Sequence, residues 1–432
     1  MNARSLAEMY HWQPGHVHAP HDLAIYASYA SRVPRHSLEG RSAPRILDAL
    51  HAAAQNSERM KTRLLSRSDV VEIVRKVGRD ALMDAMISSL TEAFLRYDSR
   101  VVEVRKRDGF NYDRSPRTLI SPEVAGGLLE WMPVLELGAA STIKMVAYNP
   151  KNPARHGIPT ITATIFQHDI KTGHLLAIAD GVFLTALRTG AASAIATRIL
   201  AHPDSSVVGV IGCGAQAVPQ LHALSRIMRI DKVLAYDVDP EALGSFPGRV
   251  AFTGVPVVPT DVASLEGNVD VLVTATSVAV GQGPVFPGRA LRPHLHINAI
   301  GADVPGKTEC PAAVVEAAAL VCPDFRAQAI VEGECQQLPE DRIGPSLPQI
   351  VKDRAHCKEY RSRLTIFDST GFALEDKVAM ELFLGYAEKF GLGTDIAIES
   401  MPLDPLDPYS LALEIEPVAA RASDRDFGLR RN

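Results

Sequence analysis

The stretch that most constrains this chain is residues 207–216, Val-Val-Gly-Val-Ile-Gly-Cys-Gly-Ala-Gln. Apolar, mostly β-branched residues stop at Gly212-Cys213-Gly214. Apolar positions then recur at helical spacing over 215–229. The pattern predicts a strand, a tight turn and a helix. Such a turn gathers free backbone N–H groups and a helix N-terminus at one point, which suits a pyrophosphate. A glycine pattern alone has little specificity, so the flanking chain must supply context. Residues 232–237 read as the next strand and end in Asp237. An acid there accepts hydrogen bonds from an adenosine ribose and repels a 2′-phosphate, favouring NAD over NADP. The other reading of Asp237 is a turn cap ahead of Asp239-Pro240.

Further strands at 269–274, 294–300 and 319–322 follow at βαβ intervals, as in a parallel, doubly wound sheet. The upstream chain differs. Residues 66–69, Ser-Arg-Ser-Asp, have the form of a helix cap. A helix at 81–95 is followed by strands at 101–104, 128–134, 141–148, 159–167 and 174–178, with a polar loop at 105–116. An Ala-, Ser- and Thr-rich helix at 185–200, suited to close packing, links the two parts. A strand at 364–367 and a helix at 374–390 come last.

With 432 residues, the chain has room for two or three domains at about 150 residues each. Charged residues are 22% and the net charge is −5, so no basic field points to nucleic acid. The five cysteines (Cys213, Cys310, Cys322, Cys335, Cys357) lack Cys-x-x-Cys spacing, which favours a reducing compartment over a disulfide framework or zinc ribbon. No apolar signal-peptide core and no run long enough to span a membrane is present. The expectation is a cytoplasmic protein without membrane contact. His11, His16, His18, His21 and His36 lack companion Cys or carboxylate ligands at metal spacing. They read as a polar arm, and no metal is expected.

Three further features are candidates for chemistry. Residues 299–307, Ala-Ile-Gly-Ala-Asp-Val-Pro-Gly-Lys, lie at the C-terminal end of a predicted parallel strand, the edge where ligands bind in such sheets. Asp303 among small residues is expected to be desolvated and raised in pKa, fit for proton transfer. Lys307 could meet a phosphate or carboxylate. A plain turn accounts for the same residues equally well. Arg188 lies near the start of the Ala-rich helix, where the helix dipole gives a cation no benefit; it either binds an anion or forms a surface ion pair. Lys144 lies within the strand Thr-Ile-Lys-Met-Val, and the residues alone favour the wet face over burial with a partner.

Taken together, six motifs in order resemble the ornithine cyclodeaminase/mu-crystallin family. They are Lys144-Met145-Val146 with Asn149-Pro150 and Asn152; 177–181; Leu184-Thr185-Ala186-Leu187-Arg188-Thr189; Ile211-Gly212-Cys213-Gly214-Ala215-Gln216; Gly301-Ala302-Asp303-Val304-Pro305-Gly306-Lys307-Thr308-Glu309; and 367–376, Phe-Asp-Ser-Thr-Gly-Phe-Ala-Leu-Glu-Asp. They span about residues 64–392. Residues 331–339, Val-Glu-Gly-Glu-Cys-Gln-Gln-Leu-Pro, are closer to the cyclodeaminase branch.

The resemblance implies an α/β fold in which a Rossmann-type doubly wound parallel sheet domain is inserted into a β-rich (α+β) substrate-binding and dimerisation domain. The expected division is 1–61 N-terminal extension, 62–188 substrate-binding part completed by 363–401, 189–362 NAD-binding part, and 402–432 tail. Arg117, Lys144 and Arg188 would clamp an amino-acid carboxylate, Glu130 would line the substrate pocket, and Asp303 would be the general acid/base. Thr160, Arg188, Gly212, Gly214, Ala215, Gln216, Asp237, Thr276, Lys307, Ser369 and Thr370 would contact NAD. The activity implied is conversion of L-ornithine to L-proline and ammonia with NAD regenerated, in a homodimer. The alternatives are an imine or ketimine reductase, an amino-acid dehydrogenase of the same family, or a cofactor-binding protein without turnover. Retention of Lys144, Arg188 and Asp303 argues against the last. Ala302 replaces a glycine usual in the cyclodeaminases, and 147–150, Ala-Tyr-Asn-Pro, replaces Asn-Gly-His-Pro; both bear on which side chain is accepted.

Overall fold

The structure is a computed structural model and describes residues 60–112, 127–399, 402 and 405–409. Arg117 and the histidines of the N-terminal extension lie outside the described residues. The site is built within Arg63–Thr394, one compact unit.

The first part of the unit runs β1 (Thr62–Leu65), α1 (Arg67–Val77), α2 (Arg79–Arg96), β2 (Val102–Val104), β3 (Asp108–Asn111), β4 (Leu128–Glu136), β5 (Ala140–Tyr148), α3 (Asn152–His156), β6 (Ile161–Asp169) and β7 (Leu175–Asp180). These strands form one sheet in the order β1-β7-β6-β5-β4-β2, with β3 also on β4. All pairs are antiparallel except β1 with β7. Ser66 caps α1 as its sequence predicts. Its hydroxyl accepts from the Asp69 N–H, and Asp69 accepts from the Ser66 N–H at 2.8 Å, a reciprocal capping box.

The second part runs α4 (Val182–Leu200), β8 (Val207–Ile211), α5 (Ala217–Ile227), β9 (Lys232–Tyr236), α6 (Pro240–Val250), β10 (Val257–Pro259), α7 (Val262–Leu265), β11 (Val271–Thr274), β12 (His296–Ala299), α8 (Ala312–Ala317), β13 (Leu320–Pro323), α9 (Arg326–Ala329), α10 (Leu347–Lys352) and β14 (Thr365–Asp368). The sheet order is β10-β9-β8-β11-β12-β14-β13, all parallel. From β8 the chain winds outward to β10, then crosses back to β11. The order therefore reverses beside β8, the switch point where such sheets bind ligands. The last helix, α11 (Ala373–Phe390), packs against α4 and against β4 and β5 of the first part. The Ala-rich α4 is buried along almost its whole length. A Cβ on Gly190 would lie 2.5 Å from the Pro219 carbonyl oxygen, so α4 and α5 approach as closely as only glycine allows.

Three sequence expectations differ from the structure. The polar loop at 105–116 contains β3, whose sequence Asp-Gly-Phe-Asn lacks the apolar alternation that marks a strand. The boundary at 363 assigns β14 to the substrate-binding part, yet β14 lies inside the parallel sheet between β12 and β14's other neighbour β13. The chain leaves that sheet only after Asp368. Lys144 is not on a wet face. In β5 the buried positions are Ala140, Thr142, Lys144 and Val146, while Ile143 and Met145 on the opposite face are half-buried. Among the described residues, no helix is long and apolar enough to cross a membrane. All five cysteines are buried and free.

Candidate active site

A cavity of about 640 Å³ lies at the C-terminal edge of the parallel sheet and is closed on its other side by β4, β5 and the turn after β14. Each expected site residue within the described segments lines it.

The glycine loop forms one wall. Gly212 has φ 91°, and a Cβ there would sit 2.6 Å from the Ala275 carbonyl oxygen. Any side chain would push the loop off β11. Beside Gly214 a Cβ would meet nothing within 4 Å, so that side of the loop is open. The Gly212 N–H donates to the Tyr236 carbonyl and the Cys213 N–H to Asp237. The N–H groups of Gly214, Ala215 and Gln216 have no acceptor among the described residues, and the buried Gln216 Oε1 has no partner. Unpaired donors beside open space fit a dinucleotide pyrophosphate. Asp237 takes up part of the turn-cap role: its two oxygens accept from the N–H groups of Cys213 at 2.6 Å and Asp239 at 2.8 Å. It also lines the cavity, and each oxygen retains a lone pair.

Buried carboxylates shape the rest of this wall. Glu309 accepts from the Thr276 N–H (2.7 Å) and hydroxyl (2.6 Å), the Thr274 hydroxyl (2.8 Å) and the Gly301 N–H (2.7 Å). It thereby ties the turn after β11 to the turn carrying Asp303. Asp324 accepts from the hydroxyls of Ser369 and Thr370 and from the Gly371 N–H. Thr160 lines the opposite side, where its carbonyl accepts from the Asn149 N–H.

Two cations converge at the end of the cavity near α11. Lys144 Nζ is 2.9 Å from the Asp376 carboxylate. Arg188 reaches Asp376 with Nε (3.1 Å) and Glu375 with Nη1 (2.9 Å). All four side chains are at most 5% exposed. Arg188 is therefore part of a buried ion cluster rather than a surface pair. Burial and the neighbouring Arg188 charge lower Lys144 to about 8, despite Asp376. Burial pushes Glu375 up to about 8 against the pull of Arg188. A Cβ on Gly371 would lie 3.4 Å from Arg188 Nη2. Glycine lets the chain pass close to the guanidinium.

The remaining charges form an acidic group around Arg107. Its guanidinium lies 3.0 Å from Glu332 and 3.4 Å from Glu130, and it also donates to the Thr370 carbonyl. Burial raises Glu130, partly offset by Arg107. Burial takes Glu332 to about 7, with Arg107 pulling it down and Glu130 pushing it up. Asp303 lies on the turn after β12, 3.0 Å from Lys307, whose ammonium is 5.7 Å from the Tyr148 ring centroid. The expected rise in the Asp303 pKa does not occur. Burial does raise it, but the charges of Lys307 and Arg107 outweigh burial and hold it below the ordinary range. Its carboxylate is deep in the protein yet one-third exposed, because it faces the cavity.

Arg107, Glu332, Glu309 and the pair Glu375/Asp376 were given no role by the sequence. The last four lie in motifs it singled out. Arg107 lies in Arg105-Lys106-Arg107-Asp108, where nothing local ranks one cation above another. With Arg117 outside the described residues, Arg107 is the third cation the structure brings to the substrate side.

Comparison with known proteins agrees with this architecture. Residues 67–388 match the model of the ornithine cyclodeaminase/mu-crystallin family. The chain is 43% identical to an L-lysine cyclodeaminase of Streptomyces rapamycinicus over 353 residues, 82% of this chain and 100% of that one. A solved lysine cyclodeaminase, described as recognising L-lysine, L-ornithine and L-2,4-diaminobutyric acid, superposes with TM-score 0.77 and 48% identity, covering 82% of this chain and all of that one. An archaeal alanine dehydrogenase dimer with bound NAD superposes with TM-score 0.68 at 30% identity, covering 79% of this chain and all of that one. Motif order, sheet topology and a match over most of the chain place this protein in the ornithine cyclodeaminase/mu-crystallin family.

Proposed function

We propose that the protein is an NAD-dependent cyclodeaminase of L-diamino acids that converts L-lysine to L-pipecolate and ammonia and accepts L-ornithine as a shorter substrate. The observation that carries this reading is one cavity lined at a cationic end by Lys144 and Arg188 and elsewhere by Glu130, with Glu332 behind it on Arg107 and the Asp303 carboxylate exposed to the same space. A diamino acid has the matching charges: a carboxylate at one end and an ω-ammonium at the other. The sequence alone put ornithine first. Lysine moves ahead because the similarity to an L-lysine cyclodeaminase extends over that protein's whole length.

NAD, held by Gly212, Gly214, Ala215, Gln216 and Asp237 with Thr276, Lys307, Ser369 and Thr370, supplies a reversible acceptor for the Cα hydride, so no net oxidation occurs. The chain's residues do the rest. Lys144 and Arg188 fix the substrate carboxylate, which orients Cα, while Arg107 stays paired with Glu130 and Glu332. Glu130 holds the ω-ammonium, and Glu332, paired with Arg107, adds the negative charge behind it. Once Cα is an imine carbon, Asp303, ionised at neutral pH, takes a proton from the ω-ammonium and frees its lone pair. The ω-nitrogen bonds to Cα and closes the ring. Asp303 returns the proton to the α-amino group and then takes the second proton from the ring nitrogen, whose freed lone pair forms the ring C=N bond as the bond from Cα to the α-nitrogen breaks and ammonia leaves. Lys307 stabilises Asp303 in its ionised state.

The outer face of the first sheet supports a homodimer. Leu129, Trp131, Ile143, Met145 and Phe166 are half-buried there, and Phe110, 61% exposed, stacks edge-on against Trp131. A continuous apolar face of this kind fits a second copy of the chain.

The test is incubation with L-lysine or L-ornithine and a trace of NAD. Pipecolate or proline should form with ammonia and without NADH accumulation. NADH formed in proportion to substrate consumed would establish an amino-acid dehydrogenase instead.

A further inference from the structure

One contact of the glycine loop has no part in the chemistry above. Arg249, in the last turn of α6, donates from Nη2 to the carbonyls of Cys213 at 2.5 Å and Ala242 at 2.8 Å, and from Nη1 to the Gly214 carbonyl at 3.3 Å. Its guanidinium carbon is 5.5 Å from the ring centroid of the fully buried Phe246. From the other side, Asp237 accepts from the Cys213 N–H at 2.6 Å. Both backbone polar groups of Cys213 are therefore fixed, one by an acid at the end of β9 and one by a cation from α6.

This matters because Gly-Cys-Gly is a flexible sequence. Two glycines permit many backbone conformations, and the open space beside Gly214 does nothing to restrict them. A loop that must be ordered when an anion binds gives up affinity to that ordering. We infer that Arg249 is a positioning residue of the dinucleotide cradle: by capping the carbonyls of Cys213 and Gly214 from α6, it holds the loop in the conformation that leaves the N–H groups of Gly214, Ala215 and Gln216 for a pyrophosphate. The forked guanidinium suits this role, since it can reach three carbonyls from one fixed plane. Its positive charge is engaged by protein carbonyls and is not the source of the effect. The inference depends on the assignment of NAD to this cavity.

The test is NAD binding by titration calorimetry without amino acid, on wild type, Arg249→Met and Arg249→Lys. Methionine keeps the apolar stem and removes the donors; lysine keeps the charge but cannot span the three carbonyls. Both variants should raise the Kd for NAD by about tenfold, and hydrogen exchange of residues 212–216 in the NAD-free protein should accelerate. Full affinity in Arg249→Lys would show that charge, not loop geometry, is at work and would overturn the inference. Unchanged Kd in Arg249→Met, with or without a lower Tm, would overturn it as well. A wild-type protein that binds no NAD would overturn the cofactor assignment first, and this inference with it.

Discussion

Lys144 and Asp376 are 232 positions apart in the chain, yet Lys144 Nζ is 2.9 Å from the Asp376 carboxylate with both side chains 1% exposed. An ammonium buried alone would be strongly destabilising. Asp376 makes the burial tolerable, and by also binding Arg188 Nε it sets the two cations beside each other. In the proposed function they receive a substrate carboxylate without first being gathered.

That arrangement gives a pH dependence with a definite sign. Lys144 titrates near 8 because burial and Arg188 disfavour its charge. Above that pH it loses a positive charge. Glu375, raised to about 8 by burial, gains a negative charge over the same interval. Both changes remove positive potential from the carboxylate end. kcat/KM for the amino acid should therefore fall above about pH 8, through a rise in KM. Steady-state rates between roughly pH 6 and 10 check this; a flat KM across pH 8 contradicts it.

Asp303 gives the opposite expectation on the acid side. Lys307 and Arg107 hold its carboxylate ionised well below neutral pH, so no acid limb from this group should appear between about pH 6 and 8. Asp303→Asn should lower kcat by about 10²–10⁴-fold, the usual contribution of a general acid/base. Calorimetric NAD affinity should stay within about threefold, since the amide keeps the shape. Equal losses in NAD binding and kcat would instead make Asp303 a cofactor-binding residue.

Gly301 tests the link between the acid/base turn and the cofactor wall. A Cβ there would lie 2.3 Å from Glu309 Oε1 and 2.6 Å from the Thr276 carbonyl oxygen. Gly301→Ala must displace Glu309, which would release its bonds to Thr274, Thr276 and Gly301. The cost is expected at about 2–4 kcal/mol, combining overpacking with a disturbed buried carboxylate. A fall in Tm should accompany a drop in kcat larger than any change in amino-acid KM. Thermal denaturation and kinetics on the same preparation separate the two effects.

Much of this was readable in the sequence. Strand periodicity and glycine turns give both sheets, because each half-buried or fully buried strand carries its pattern locally. The glycine loop, Asp303 and Ser369-Thr370 fall around one cavity because they follow the parallel strands β8, β12 and β14, and Lys144 and Arg188 reach the same space from β5 and α4. What was not readable depends on partners far along the chain. The alternation Ile143-Lys144-Met145 suggests a wet lysine until Asp376 arrives from α11. Asp303 reads as ready for a raised pKa until Lys307 folds back on it and Arg107 approaches from the other sheet. Arg107 itself looks like any cation in a polar loop, because β3 and Glu332 are what draw it inward.

Glu332 provides the last test, of how a diamino acid is distinguished from a monoamino one. Together Glu130 and Glu332 set two carboxylates against the single guanidinium of Arg107. With both ionised, this end of the cavity has a net charge of about −1, enough to hold an ω-ammonium. Glu332 titrates near 7, raised by burial and by Glu130 against the pull of Arg107. Below that pH it takes up a proton and the excess negative charge disappears. KM for L-lysine should therefore rise as pH falls through about 7, while the inhibition constant of L-norleucine, which has no ω-amine, should stay level. Glu332→Gln removes the charge at every pH. The variant should raise KM for L-lysine by about tenfold at pH 8, the order of one charge removed close behind the pocket wall, and abolish its pH dependence near 7. L-norleucine should bind the variant as it binds the wild type. If both ligands weaken together, Glu332 supports the fold of the pocket and does not select the second amine.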